Sequence, residues 1–248
     1  MTRSRLQEAL AANERIFGGW VVGPTIIGPE EFAQAGYDYV GFDLQHGYLD
    51  DADVALMLRR LEHVPIATAV RLPSTDPAPI GRLLDAGADA VIIAMVESPD
   101  QAAAAVSATR YAPAGVRSFG PLRAGLGPDP AAHEARTSVF AMIETARGLT
   151  ALDEICAVDG LTGVYVGPAD LAISLGHKPV EALTNPAVLE AITRIQAGAS
   201  AAGLVPAIHA NAGKPGKAMA ELGFRMITLA SESQALRRGA AEHLEEAQ

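Results

Sequence analysis

The sequence of 248 residues predicts an α/β protein of the (β/α)8, or TIM-barrel, class, folded as a single domain over residues 1–248. Three observations carry this expectation. Eight short apolar runs rich in Val, Ile and Ala recur along the chain. Helix-patterned segments separate them, many closed by a glycine suited to a left-handed C-cap. The turn pattern Ala-Gly-Xaa-Asp, which joins a helix to a following strand in βαβ units, occurs at Ala35–Asp38 and again at Ala86–Asp89.

Taken in order, a charged, helix-patterned leader (MTRSRLQEALAANERIFGG) is expected to close the barrel floor. Strands are expected at 17–22, 39–42, 66–70, 90–95, 138–143, 161–166, 204–209 and 225–230. Several are continuously apolar, as strands buried on both faces are. Helices are expected at EEFAQAG, DADVALMLRRLEH, APIGRLLDAG, PDQAAAAVSATR, ARGLTALDEICAV, NPAVLEAITRIQAGASAAG and KAMAELG, with SQALRRGAAEHLEEA after the last strand. A doubly wound sheet is the competing arrangement, but no glycine-rich dinucleotide fingerprint follows the first strand. Two connections are long. YAPAGVRSFGPLRAGLGPDPAAHEART, after strand four, reads as an ordered active-site loop, and LGHKPVEALTNP leads to a helix capped near Thr184 or Asn185.

Hydrophobic residues at 49% and charged residues at 19% suit a globular protein. A net charge of -10, with few and scattered basic residues, argues against a nucleic-acid groove. Cys156 is the only cysteine, so no internal disulfide can form, and it reads as a small buried apolar group. The leader lacks the apolar core of a signal peptide, and no run approaches a membrane span. The expectation is a cytoplasmic protein with neither nucleic acid nor membrane as partner.

Functional groups of a barrel gather at the C-terminal ends of its strands. There the chain places Asp43, Gln45 and His46 after strand two, Arg71 after strand three, Glu144 after strand five and Gly167-Pro168-Ala169-Asp170 after strand six. Glu144 and Asp170 repel one another unless a proton or cation lies between them, and a hard divalent cation suits their oxygens. Each acid has the plainer alternative of capping the helix that follows it. Arg71 offers a fixed fork of donors to an oxygen that gains charge, or a buried partner to Asp43 or Glu144. Imidazole as a side-chain type ionises near neutral pH, so His46 suits a general base, with Asp43 to orient it. Backbone N–H groups at Gly167–Asp170 are positioned to receive a carboxylate. His63 and His243 read as solvated helix residues, His133 and His177 as loop residues, and His209 as a candidate for the mouth. Together these groups suit the enolate of a small 2-oxo acid.

FDLQHG, AVRLP, VIIAMVESPDQAAAAVSATRYAPAGVRS, AMIET and above all GLTGVYVGPADLAISLG resemble the HpcH/HpaI family of class II, metal-dependent pyruvate aldolases, in order from about residue 15 to about residue 235. The resemblance implies a barrel that reversibly splits 4-hydroxy-2-oxo acids into pyruvate or hydroxypyruvate and an aldehyde. It implies His46 as base, Asp43 as its partner, Arg71 on the enolate oxygen, and Glu144 with Asp170 on Mg2+, Mn2+ or Co2+. It implies that Asp85 is brought to the dyad from a neighbouring subunit, and that the chain assembles as a hexamer, a trimer of dimers with exchanged C-terminal helices. Many members carry Glu before the histidine, where this chain has Gln45. The loop with Arg117, Leu122 and Arg123 is expected to shape substrate choice. Two other readings stay open: a citrate-lyase β or malyl-CoA type of lyase acting on a thioester, and a binding barrel without catalysis.

Overall fold

Eight parallel strands close into one barrel in the computed structural model, which describes residues 3–248. They are β1 (Ile16–Val21), β2 (Tyr39–Asp43), β3 (Ala67–Leu72), β4 (Ala90–Ile93), β5 (Ser138–Ile143), β6 (Gly163–Val166), β7 (Val205–His209) and β8 (Met226–Ser231). Each pairs with its sequence neighbours, and β8 closes on β1. All eight expected strands form. β4 stops short of Met95 because that residue turns into the left-handed region, at φ 57°.

The helices are α1 (Arg5–Ala12), α2 (Ile27–Gln34), α3 (Asp51–Arg60), α4 (Pro77–Asp85), α5 (Pro99–Thr109), α6 (Pro130–Arg136), α7 (Ala146–Thr150), α8 (Leu152–Cys156), α9 (Pro168–Ser174), α10 (Pro186–Ala201), α11 (Gly213–Glu221) and α12 (Glu232–Glu246). ARGLTALDEICAV, expected as one helix, is two. The chain breaks at Ala151 (φ -87°, ψ 10°). α7 is pinned to the mouth, since a Cβ at Gly148 would lie 2.6 Å from the Val96 carbonyl oxygen. α8 turns its Leu152, Ile155 and Cys156 into the core. Asn185 caps α10, accepting from the Ala187 N–H at 3.0 Å.

Two apolar layers result. One lies between the strands and the surrounding helices. The other fills the barrel with Ile16, Trp20, Tyr39, Phe140, Tyr165 and Met226, and Leu6 and Leu10 of α1 join it from below. α1 therefore seals the floor, as the leader suggests. The rings fit because glycines face them: a Cβ at Gly18 would lie 2.1 Å from the Tyr39 ring, and one at Gly41 2.1 Å from Trp20. A polar line also crosses this layer. Tyr39 Oη lies 2.8 Å from Thr228 Oγ1, which lies 2.6 Å from Tyr165 Oη, itself 3.3 Å from His209 Nδ1.

The Ala-Gly-Xaa-Asp turns show why they end in Asp. Asp38 accepts the N–H of Phe17 at 2.8 Å, and Asp89 that of Thr68 at 3.0 Å, so each aspartate opening a strand ties down the strand before it.

The long segment between β4 and β5 lies elsewhere than expected. It leaves α5 at the floor end and stays there. The Leu122 N–H donates to the Asp85 carbonyl at 2.9 Å, Arg117 pairs with the Asp85 carboxylate at 2.7 Å, and Arg123 pairs with Glu62 at 3.3 Å. Within one chain it is not a loop of the mouth. His133 is likewise no loop residue. It sits buried on α6, with Nδ1 2.9 Å from Tyr111 Oη and Nε2 2.9 Å from the Gly127 carbonyl, and pins this segment together.

Candidate active site

Asp43 is the hub of the mouth. It ends β2 level with Arg71 of β3, so their side chains leave adjacent strands at one height. Asp43 Oδ1 accepts from Arg71 Nε and from the backbone N–H groups of Gln45 and His46, each at 3.0 Å. Oδ2 accepts from Arg71 Nη2 and, at 3.0 Å, from Trp20 Nε1. Burial raises the Asp43 carboxyl, but Arg71, the His46 N–H and the Trp20 indole outweigh it, and the group falls below the usual carboxylate range. The Arg71 guanidinium also lies 5.5 Å from the Trp20 ring centre.

These bonds correct one expected role. Asp43 holds His46 by its backbone N–H rather than by its ring, and both carboxylate oxygens are taken. The exposed His46 imidazole makes no hydrogen bond among the described residues. Gly47 lets the turn close, because a Cβ there would lie 2.4 Å from the Asp43 carbonyl oxygen and 2.8 Å from that of Val22. Gln45 is half-buried, and its Oε1 has no partner among the described residues.

Glu144 follows β5 and is buried. Its Oε1 accepts the Met95 N–H at 2.8 Å, a bond that the left-handed backbone of Met95 aims. Its Oε2 is buried without a hydrogen bond among the described residues. Burial pushes the carboxyl up to about 7; the Met95 N–H opposes this, the Asp170 charge adds to it, and Arg71 opposes it again. Asp170 lies in the first turn of α9, half-buried beside it. Of the four backbone groups expected to receive a carboxylate, Pro168 has no N–H and that of Gly167 points to the Ile143 carbonyl at 3.4 Å. The amides of Ala169 and Asp170 remain.

A divalent cation fits this donor set. An orphaned, buried carboxylate oxygen costs free energy that a cation recovers, and the neighbouring Asp170 makes the cluster more negative. Among the described residues no group of three or more His, Cys, Asp or Glu side chains is poised to hold a metal ion. Glu144 and Asp170 are the two side chains here that could hold such a cation, a number that matches Mg2+ sites, which are bound through one or two carboxylates.

Within one chain Asp85 does not join the mouth. It ends α4 at the floor end, bonded to Arg117. Two residues of the mouth went unread in the sequence. Trp20 carried a signal, as the only tryptophan at the end of a strand. Met95 carried none, since nothing in its type announces a positive φ. His209 does lie beside the mouth, packed edge-on to Trp20 with ring centres 5.1 Å apart.

The family model for HpcH/HpaI aldolase/citrate lyase matches residues 17–238. A hydroxypyruvate/pyruvate aldolase of Rhizorhabdus wittichii is 38% identical, with 92% of each chain covered. A 4-hydroxy-2-oxovalerate aldolase of Rhodococcus jostii is 35% identical, with 93% of each chain covered. The crystal structure of a family protein from Burkholderia cenocepacia superposes with a TM-score of 0.89 at 32% identity, over 98% of each chain. The barrel, the Asp43–Arg71 pair and the Glu144–Asp170 carboxylates thus belong to a chain of the HpcH/HpaI aldolase/citrate lyase family.

Proposed function

We propose that this chain is a class II aldolase that reversibly cleaves 4-hydroxy-2-oxo acids into pyruvate or hydroxypyruvate and an aldehyde. The observation that carries this reading is the buried, unpartnered Oε2 of Glu144, set beside Asp170 and within the field of Arg71. Relatives of this length and identity are named for that chemistry, which disfavours the thioester lyase.

Glu144 and Asp170 would hold the cation, which would supply Lewis-acid polarisation to the donor's oxygens. Mg2+, Mn2+ and Co2+ all suit the two acids. Arg71 spends Nε and Nη2 on Asp43, and Nη1 has no partner among the described residues. That nitrogen meets the oxygen on which charge develops. The Ala169 and Asp170 amides take the donor carboxylate, with Gly167 and Pro168 shaping the turn. His46 takes the proton of the hydroxyl on the carbon being released and returns it to the enolate carbon, which becomes the methyl group when the product is pyruvate. Asp85, paired with Arg117, serves a neighbouring subunit's mouth. The assembly is a hexamer built as a trimer of dimers, with α12 exchanged. Two observations support this: the floor-end place of Asp85, and the exposure of Leu236 (75%) and Leu244 (60%) on α12. No helix among the described residues is long and apolar enough to cross a membrane.

The test is pyruvate release from a 4-hydroxy-2-oxo acid after exhaustive EDTA treatment. Activity should vanish and return with Mn2+, Mg2+ or Co2+; full activity without metal overturns the reading. A parallel assay with a CoA thioester should give no cleavage.

A further inference from the structure

Glu232 opens α12, and its side chain leaves the helix to grip β1. Its Oε1 accepts the N–H groups of Val22 and Gly23, at 2.9 and 3.1 Å. Among the described residues these are the only hydrogen bonds that α12 makes outside its own turns and Ser231. No residue of α12 is buried, so this carboxylate is the helix's polar anchor on the barrel. Its Oε2 is buried without a partner among the described residues, a cost that solvent exposure would have avoided.

The gripped peptide units lie beside the candidate base. Val21 is in register with Phe42, which sets Val22 next to Asp43. The Val22 carbonyl accepts the N–H of Tyr48 at 2.7 Å, and the same oxygen would lie 2.8 Å from a Cβ on Gly47. The turn that carries His46 is therefore held on one side by Asp43 Oδ1 and on the other by Val22. Val22 is held in turn by Glu232. Two residues before Val22, Trp20 reaches Asp43. A single carboxylate on the last helix thus fixes the stretch of backbone that braces both His46 and the Asp43–Arg71 pair.

We propose that Glu232 is a positioning residue for the proton transfer, coupling the seat of α12 to the orientation of the His46 turn. The proposal rests on His46 as the base, so the test reads backbone order and proton transfer separately. The variants are Glu232→Ala, Glu232→Met, which keeps bulk but accepts no hydrogen bond, and Glu232→Gln, which keeps an acceptor at Oε1. Hydrogen–deuterium exchange by mass spectrometry follows residues 43–49 in the full-length protein without substrate. NMR follows deuteration of the pyruvate methyl group by the Mn2+-free, Mg2+-loaded enzyme.

Ala and Met should speed exchange in the 43–49 segment and slow methyl deuteration about 10-fold, with KM for pyruvate little changed. Gln should restore both to near the parent values. Wild-type exchange in that segment in both Ala and Met overturns the proposal, as does wild-type deuteration in either folded variant. His46→Ala is the control for the base. If it leaves deuteration unchanged, the reading of His46 fails while the exchange result still decides whether Glu232 orders the turn.

Discussion

Gly167 and Glu144 are packed so closely that position 167 has no room for a side chain. A Cβ there would lie 2.2 Å from Glu144 Oε2 and 2.6 Å from Met142 Cε. The glycine of the Gly-Pro-Ala-Asp turn is therefore set by the carboxylate across from it. Gly167→Ala should displace Glu144 and weaken Mn2+ binding about 10-fold by calorimetry, at a stability cost of about 1–3 kcal/mol. Unchanged Mn2+ affinity in a folded variant would contradict the assignment of Oε2 as a ligand.

Arg71→Lys keeps the charge but loses the two-pronged hold on Asp43. A lysine cannot satisfy both oxygens and also face the substrate, so kcat/KM should fall by about 100-fold or more. Asp43→Asn should cost about 3–5 kcal/mol of stability, because it leaves Arg71 buried without its counter-ion. Steady-state kinetics and denaturant melts check the two changes.

His209 sets a pH dependence of stability. Burial first and then the Arg71 charge lower it from 6.5 to about 4, while a hydrogen bond with Asn211 raises it. Between those values the unfolded chain binds a proton that the folded chain excludes. Stability therefore rises with pH across this window and is lost as pH falls through it, by at most about 3 kcal/mol. His209→Gln should flatten the slope of the thermal midpoint between pH 6.5 and 4; an equal slope would show that another group governs it.

Asp85 offers a test of shared sites. If each mouth takes Asp85 from a neighbour, His46→Ala and Asp85→Ala subunits, inactive alone, should regain a fraction of the parent activity when refolded together. Mixtures that stay inactive despite proven mixed assembly would place the action of Asp85 within its own subunit's fold.

The barrel was legible because its signals are local and repeated. Apolar strands and Asp-opened turns depend on a few adjacent residues, and Asp38 and Asp89 do the same work at two places. The mouth was legible in its acids, its arginine and its histidine, since strand ends converge in a barrel whatever the details. Contacts between distant residues were not legible. That Asp43 grips the His46 backbone instead of its ring follows from how Arg71 and Trp20 share its oxygens. Likewise, the loop after α5 reads as functional by composition, yet Arg117 and Leu122 fasten it to Asp85 at the floor.

The line from Tyr39 through Thr228 and Tyr165 to His209 has a further consequence. Each hydroxyl has one proton to give. If His209 Nδ1 accepts from Tyr165, then Thr228 must give its proton to Tyr165, and Tyr39 must give its own to Thr228. The imidazole is uncharged above about pH 4, so one tautomer at the rim fixes the polarity of every dipole down to Tyr39. Protonating that ring removes the constraint along the whole line at once. A tyrosine at the closed end of the barrel is in this way informed of the ionisation state of a histidine at the open end.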